Sequence, residues 1–111
     1  MRLFNTLLVL AVLLVPSAAY SDIVALTAAP DPVRQGTSLE IRARVDRAGT
    51  VYFFFKGRPF GNAVQARGAG VVSTRDIVPG NTVPAGHSAI SKSFSAQQFG
   101  HRVSNTVTVT R

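Results

Sequence analysis

The chain has no cysteine and no tryptophan, one methionine, and only five acidic residues in 111. Without cysteine there is no disulfide framework, thiolate metal site, cysteine nucleophile or lipid-anchoring thiol. The few carboxylates, Asp22, Asp31, Glu40, Asp46 and Asp76, are scattered and form no close pair of the kind glycoside hydrolysis needs. His87 and His101 have no third metal-ligating neighbour in sequence. No Gly-x-Ser-x-Gly elbow and no Asp-x-Asp-x-Asp-Gly calcium loop occurs. These absences predict no catalytic residues, no metal site and no cofactor.

What is present is a greasy, basic chain. Hydrophobic residues make up 46% against 15% charged, which excludes a disordered tail. Twelve basic residues against five acidic give +7, or +6 once Arg2 is removed with the signal; the expectation is either weak adhesion to anionic polymers such as cell-wall or lipid-head-group phosphates or a surface that is merely solvated.

Arg2 precedes an apolar run, Leu3-Phe4 and then Leu7 to Val15, which is followed by Pro16-Ser17-Ala18-Ala19. A positive start, an apolar centre, a helix breaker and small residues at the cleavage point are the order of a secretory signal. As a helix, Leu3 to Val15 would span about 20 Å, short of the roughly 30 Å hydrocarbon core. The expectation is a signal peptide over residues 1–19, cleaved after Ala19 with Ser21 as the alternative. A single domain over 20–111 follows, with no transmembrane segment after signal removal. The setting expected is secreted, extracellular or periplasmic.

Beyond Asp22 no 3.6-residue period is sustained. Apolar residues alternate instead, and Gly/Pro clusters punctuate them every eight to twelve residues, as in an all-β sandwich. Ile23 to Leu26 opens a first strand, stopped at Pro30-Asp31-Pro32, an edge or a corner because proline lacks the ladder N–H. Leu39, Ile41, Ala43 and Val45 alternate inward against Glu40, Arg42, Arg44 and Asp46. Val51 to Phe55 forms the next strand and Gly57-Arg58-Pro59 ends it. Phe60 with Ala63-Val64, then Val71 to Val78, Ser88 to Phe94 and Thr106 to Thr110 complete about seven strands. That number and spacing match an immunoglobulin-like antiparallel sandwich.

From Ala48 to Thr110 the chain resembles the bacterial immunoglobulin-like domain of the group-3 kind, found as repeats in surface proteins. The residues that carry the likeness stand in one order: Gly49-Thr50-Val51 with Phe53, then Gly57-Arg58-Pro59-Phe60-Gly61, then Pro84-Ala85-Gly86-His87-Ser88-Ala89-Ile90. Phe94, Phe99 and Asn105 to Thr110 follow. The resemblance implies the sandwich and a surface setting. The chain departs from it at Pro79 to Val83, which reads as an insertion, and at Lys92, and the expectation is a domain that stands alone rather than in tandem. Alternation with Ile90 and Phe94 aims Lys92 inward, so a position near the rim or a bulge that shifts the register is expected there.

On strand 51–55, alternation gives Val51, Phe53 and Phe55 one face and Tyr52, Phe54 and Lys56 the other. Matching the stretch to the family puts Val51 and Phe53 in the core. Tyr52, Phe54 and Lys56 then become a candidate binding face, unless a loop such as Arg67 to Gly70 folds over the rings. Arg42 and Arg44 form a candidate basic face on the opposite sheet. They cannot interleave with the rings, which argues against specific nucleic-acid binding. Arg47, Lys56, Arg58 and Arg67 are expected to cluster near strand ends instead.

The reading these residues support is a non-enzyme: an exported module for cell-surface adhesion or protein binding, its partner a protein or an anionic cell-surface polymer. The alternatives are a self-associating structural subunit, or a small secreted hydrolase or inhibitor. Pro30, Pro32 and Pro59 stand where they would blunt strand edges, which favours a monomer or small oligomer.

Overall fold

The computed structural model describes residues Ile23–Arg111. The expected signal segment lies outside the described residues. Nine strands follow in order: β1 (Ile23–Ala29), β2 (Val33–Arg34), β3 (Ser38–Val45), β4 (Gly49–Phe55), β5 (Arg58–Pro59), β6 (Val64–Ala66), β7 (Gly70–Ile77), β8 (Ala89–Gln98) and β9 (His101–Thr110). Six are seven residues or longer; β2, β5 and β6 are short edge pieces.

The strands form two sheets. One is three-stranded, β1-β3-β7; the other runs β2-β9-β8-β4-β5, with β6 also paired to β4. All pairings are antiparallel except β2 on β9. Three outer strands facing a sheet centred on the β4, β8 and β9 trio is the immunoglobulin-like arrangement. The sandwich expected from the sequence is therefore the fold, with short strands added at its margins.

Side-chain alternation explains the layering. On β3, Leu39, Ile41, Ala43 and Val45 are buried while Arg42 and Arg44 are exposed. On β4, Val51, Phe53 and Phe55 are buried and Tyr52 faces out. These faces meet Phe94, Ala96, Val107 and Val109 from the hairpin β8–β9 to make one core.

The prolines at 30 and 32 mark a corner. The chain leaves the three-stranded sheet after β1 and enters the larger one as β2. Asp31 Oδ1 accepts the Thr108 N–H at 3.1 Å, so the corner also seals part of the β9 edge. Two hairpins close on residue pairs that both hold positive φ: Lys56 and Gly57 at 56° and 79°, Phe99 and Gly100 at 52° and 77°. That is the turn class whose twist matches the flanking strands.

Three expectations are corrected. The last two strands run on past Phe94 and begin before Thr106, forming one hairpin of ten-residue arms. The added residues Ser95–Gln98 and His101–Asn105 are mostly polar, so apolar alternation does not mark them. Phe60 is not in a strand; it is buried in the connection, and the short strand lies later, at β6. Arg47 and Arg67 stand at one end of the sandwich and Lys56 and Arg58 at the other, so the four do not share a strand-end cluster.

Lys92 is half-buried on the inward face opposite Val107, and the β8–β9 register is unbroken. The rim position therefore accounts for it, without a bulge. The segment Pro79 to Val83 is tucked in: Thr82 and Val83 are buried, and the Val83 N–H donates to Gln35 Oε1 at 2.8 Å.

Candidate binding face

The pairing register sets out the outer face of the larger sheet in rows. Tyr52, Gln97 and Arg102 lie side by side on β4, β8 and β9; Phe54, Ser95 and Ser104 form the next row. With strands roughly 4.8 Å apart, Tyr52 and Arg102 stand roughly 10 Å from each other across Gln97. Tyr52 is 51% exposed.

Phe54 is covered, and its cover is an arginine. The Arg102 guanidinium lies 4.1 Å from the Phe54 ring centroid, reaching diagonally over β8. Its Nε and Nη2 both donate to Gln97 Oε1, at 3.1 and 2.9 Å. Ser95, though on the outer face, is buried, as its place between Phe54 and Ser104 requires. The stack and the paired hydrogen bonds hold Arg102 in one geometry while its remaining N–H groups stay free for a partner's acceptor.

Around these residues the outward positions of β8 and β9 are hydroxyls: Ser91, Ser93, Ser104, Thr106 and Thr108. None of the outward positions on β4, β8 or β9 is a carboxylate. The face is flat, part aromatic, and positive.

At the end of the sheet nearest Tyr52, the turn between β8 and β9 presents Phe99, 63% exposed. Its ring rests on the Gly49 backbone, where a Cβ would collide with it, and Arg47 lies 5.5 Å from the ring centroid. Beneath it Gln98 is fully buried and donates Nε2 to the Arg47 and Gly49 carbonyls at 3.1 and 3.3 Å. Gln98 Oε1 has no hydrogen-bond partner.

The other sequence-predicted residues stand apart from this face. Lys56 sits beyond the last residue of β4, in the hairpin turn, and lines a cleft at the far end of the strand. Arg42 and Arg44 lie on the three-stranded sheet, along a shallow groove of about 310 Å³ with Ala25, Thr27 and Val71. Glu40 binds Arg42 at 3.1 Å and Arg75 at 3.7 Å, which neutralises part of that charge. The sequence did not point to Arg102 or Gln97, and it marked Phe99 only as part of the family resemblance, not as a binding residue. The signal that finds them is the Phe99-Gly100 pair read as a two-residue turn, which extends both strands and sets Arg102 opposite Gln97.

The described carboxylates are all engaged. Asp31 and Asp76 accept backbone N–H groups, Glu40 pairs with arginines, and Asp46 lies 4.0 Å from Arg47. Among the described residues no group of three or more metal-ligating side chains comes together, and no helix is long and apolar enough to cross a membrane. No protein-family profile matches the chain, and no curated protein matches it significantly.

Proposed function

We propose that the chain is an exported, non-catalytic immunoglobulin-like module of the bacterial group-3 kind, which holds a partner protein at a cell surface. The contact is the outer face of the larger sheet. The observation that carries this reading is the pair Tyr52 and Arg102, one half exposed and the other clamped on Phe54. Tyrosine and arginine are enriched among the residues that carry interface energy, tyrosine because it buries much surface with few rotors and arginine because its planar fork offers several donors at once. An arginine already fixed before contact loses less freedom on binding. The lack of carboxylates on the face favours an acidic partner surface. Engagement of each described carboxylate elsewhere supports the non-catalytic reading, and the sealed corner at Asp31 supports a monomer.

The test is binding of the secreted form to isolated cell envelopes, for wild type and for Tyr52→Ser and Arg102→Ala. Each variant should lose at least about tenfold in affinity, the loss expected of a hot-spot side chain; Tyr52→Ser should melt like wild type, and Arg102→Ala should melt a few degrees lower, because it loses the stack on Phe54. Variants that bind like wild type would refute the proposed face. Binding that is unaffected by both substitutions and disappears from all three proteins at high salt would instead point to an anionic polymer as the partner. Sedimentation should give one mass at two concentrations; growth of mass with concentration would favour the self-associating subunit.

A further inference from the structure

A second concavity lies at the other end of β4. It is a cleft of about 480 Å³ between the β4–β5 turn and the chain leaving β7, within the size range of small-molecule sites. Its floor is the buried pair Phe55 and Phe60, ring centroids 5.5 Å apart. Exposed Pro59, Pro79 and Ile77 form the walls, and Ile77 leaves 53% of its surface open. An isoleucine this exposed beside two prolines is apolar surface with no partner in the fold.

The mouth is cationic. Lys56 and Arg58 both line it and are exposed, and neither forms an ion pair among the described residues. The carboxylate in the lining, Asp76, accepts the Gly61 N–H at 3.1 Å through Oδ2 and the Ile77 N–H at 2.8 Å through Oδ1. It is bound to backbone rather than to either cation, and the lining keeps one net positive charge. Lys56 also holds φ of 56°, a conformation that glycine or asparagine adopts at lower cost in this turn. A lysine in that position accepts strain and sets an ammonium beside the cleft.

We propose that this cleft binds a small monoanionic amphiphile: a carboxylate on an apolar chain or ring. The apolar part rests against Ile77, Pro59 and Pro79, and the carboxylate sits between Lys56 and Arg58, where charge-assisted hydrogen bonds are strongest. The site stands independently of the Tyr52–Arg102 face, which lies towards the opposite end of the strand.

The experiment is titration of isotope-labelled protein with octanoate, followed by amide chemical shifts, with octanol as the uncharged control. Saturable shifts confined to residues 55–60 and 76–81 are expected, with octanol weaker by on the order of tenfold. The double variant Lys56→Asn, Arg58→Gln keeps the turn, since asparagine tolerates positive φ. It should reduce octanoate affinity to that of octanol with no fall in melting temperature. Ile77→Ser should weaken both probes alike. Absence of saturable shifts at millimolar octanoate, shifts centred elsewhere, octanol binding as tightly as octanoate, or an unaffected double variant would each overturn the proposal.

Discussion

Asn105 and Leu26 lie 79 residues apart in the chain, and Asn105 Nδ2 donates to the Leu26 carbonyl at 3.0 Å. The bond joins β9 of the larger sheet to β1 of the smaller. Asn105 Oδ1 accepts the Thr106 N–H at 2.8 Å, so one amide satisfies a backbone group on each sheet, a side-chain substitute for edge pairing. Asn105→Ala should cost about 1 kcal/mol, a fall of roughly 4–8 °C in Tm for a domain this size. Asn105→Asp keeps the acceptor for Thr106 but turns an oxygen towards the Leu26 carbonyl, and should melt lower than the alanine variant. Thermal denaturation followed by circular dichroism ranks the three proteins.

Tyr52 and Phe54 should part company on substitution. Tyr52 has little packing to lose, so Tyr52→Ser should stay within about 0.5 kcal/mol of wild type. Phe54 lies under Arg102, and Phe54→Ser should cost about 1–2 kcal/mol. A double-mutant cycle with Arg102→Ala should return a coupling of about 0.5–1 kcal/mol. A coupling of zero would mean that the stack contributes no stability.

The core strands were legible because they obey a two-residue period: Leu39 to Val45 and Val51 to Phe55 announce both their faces and their ends. The long hairpin was not, because Ala96 and Gln98 fill its inward positions. A small residue and an amide carry no hydrophobic signal, and the strand there is held by backbone pairing and by what lies over it. The same gap hid Arg102. Its role depends on register, and register came from a turn, Phe99-Gly100, in which a phenylalanine stands where asparagine or glycine is the usual sign. Tyr52 as an exposed ring was readable from alternation alone; the identity of the cover over Phe54 was not, because that contact reaches across an intervening strand, from β9 over β8 to β4.

Gly49 and Phe99 are matched in shape. Gly49 holds φ of 149°, and a methyl group there would strike the Phe99 ring. Gly49→Ala should therefore cost about 2 kcal/mol, from crowding and from backbone strain together. In a Phe99→Gly background the collision with the ring is gone, and the backbone share and the close approach to Gln98 Nε2 at 3.1 Å remain, so the same substitution should cost less. Equal penalties in both backgrounds would show that the ring gives way freely.

Gln98 gives the sharpest pH test. Its Nε2 serves two backbone carbonyls while Oε1 goes without a partner. Gln98→Met removes both donors and strands the Arg47 and Gly49 carbonyls, which should cost about 2 kcal/mol at every pH. In Gln98→Glu, burial disfavours the charged form and raises the carboxyl pKa in the folded state above its unfolded value of about 4.3. Below that value both states carry the proton, and the acid O–H replaces one of the lost donors. As pH climbs above it, the unfolded state ionises first and binds fewer protons than the folded state, so stability falls until the folded pKa is passed. Urea denaturation from pH 4 to 8 should show the glutamate variant losing stability steadily against a parallel methionine control. Parallel curves for the two variants would mean that residue 98 reaches water when it is charged.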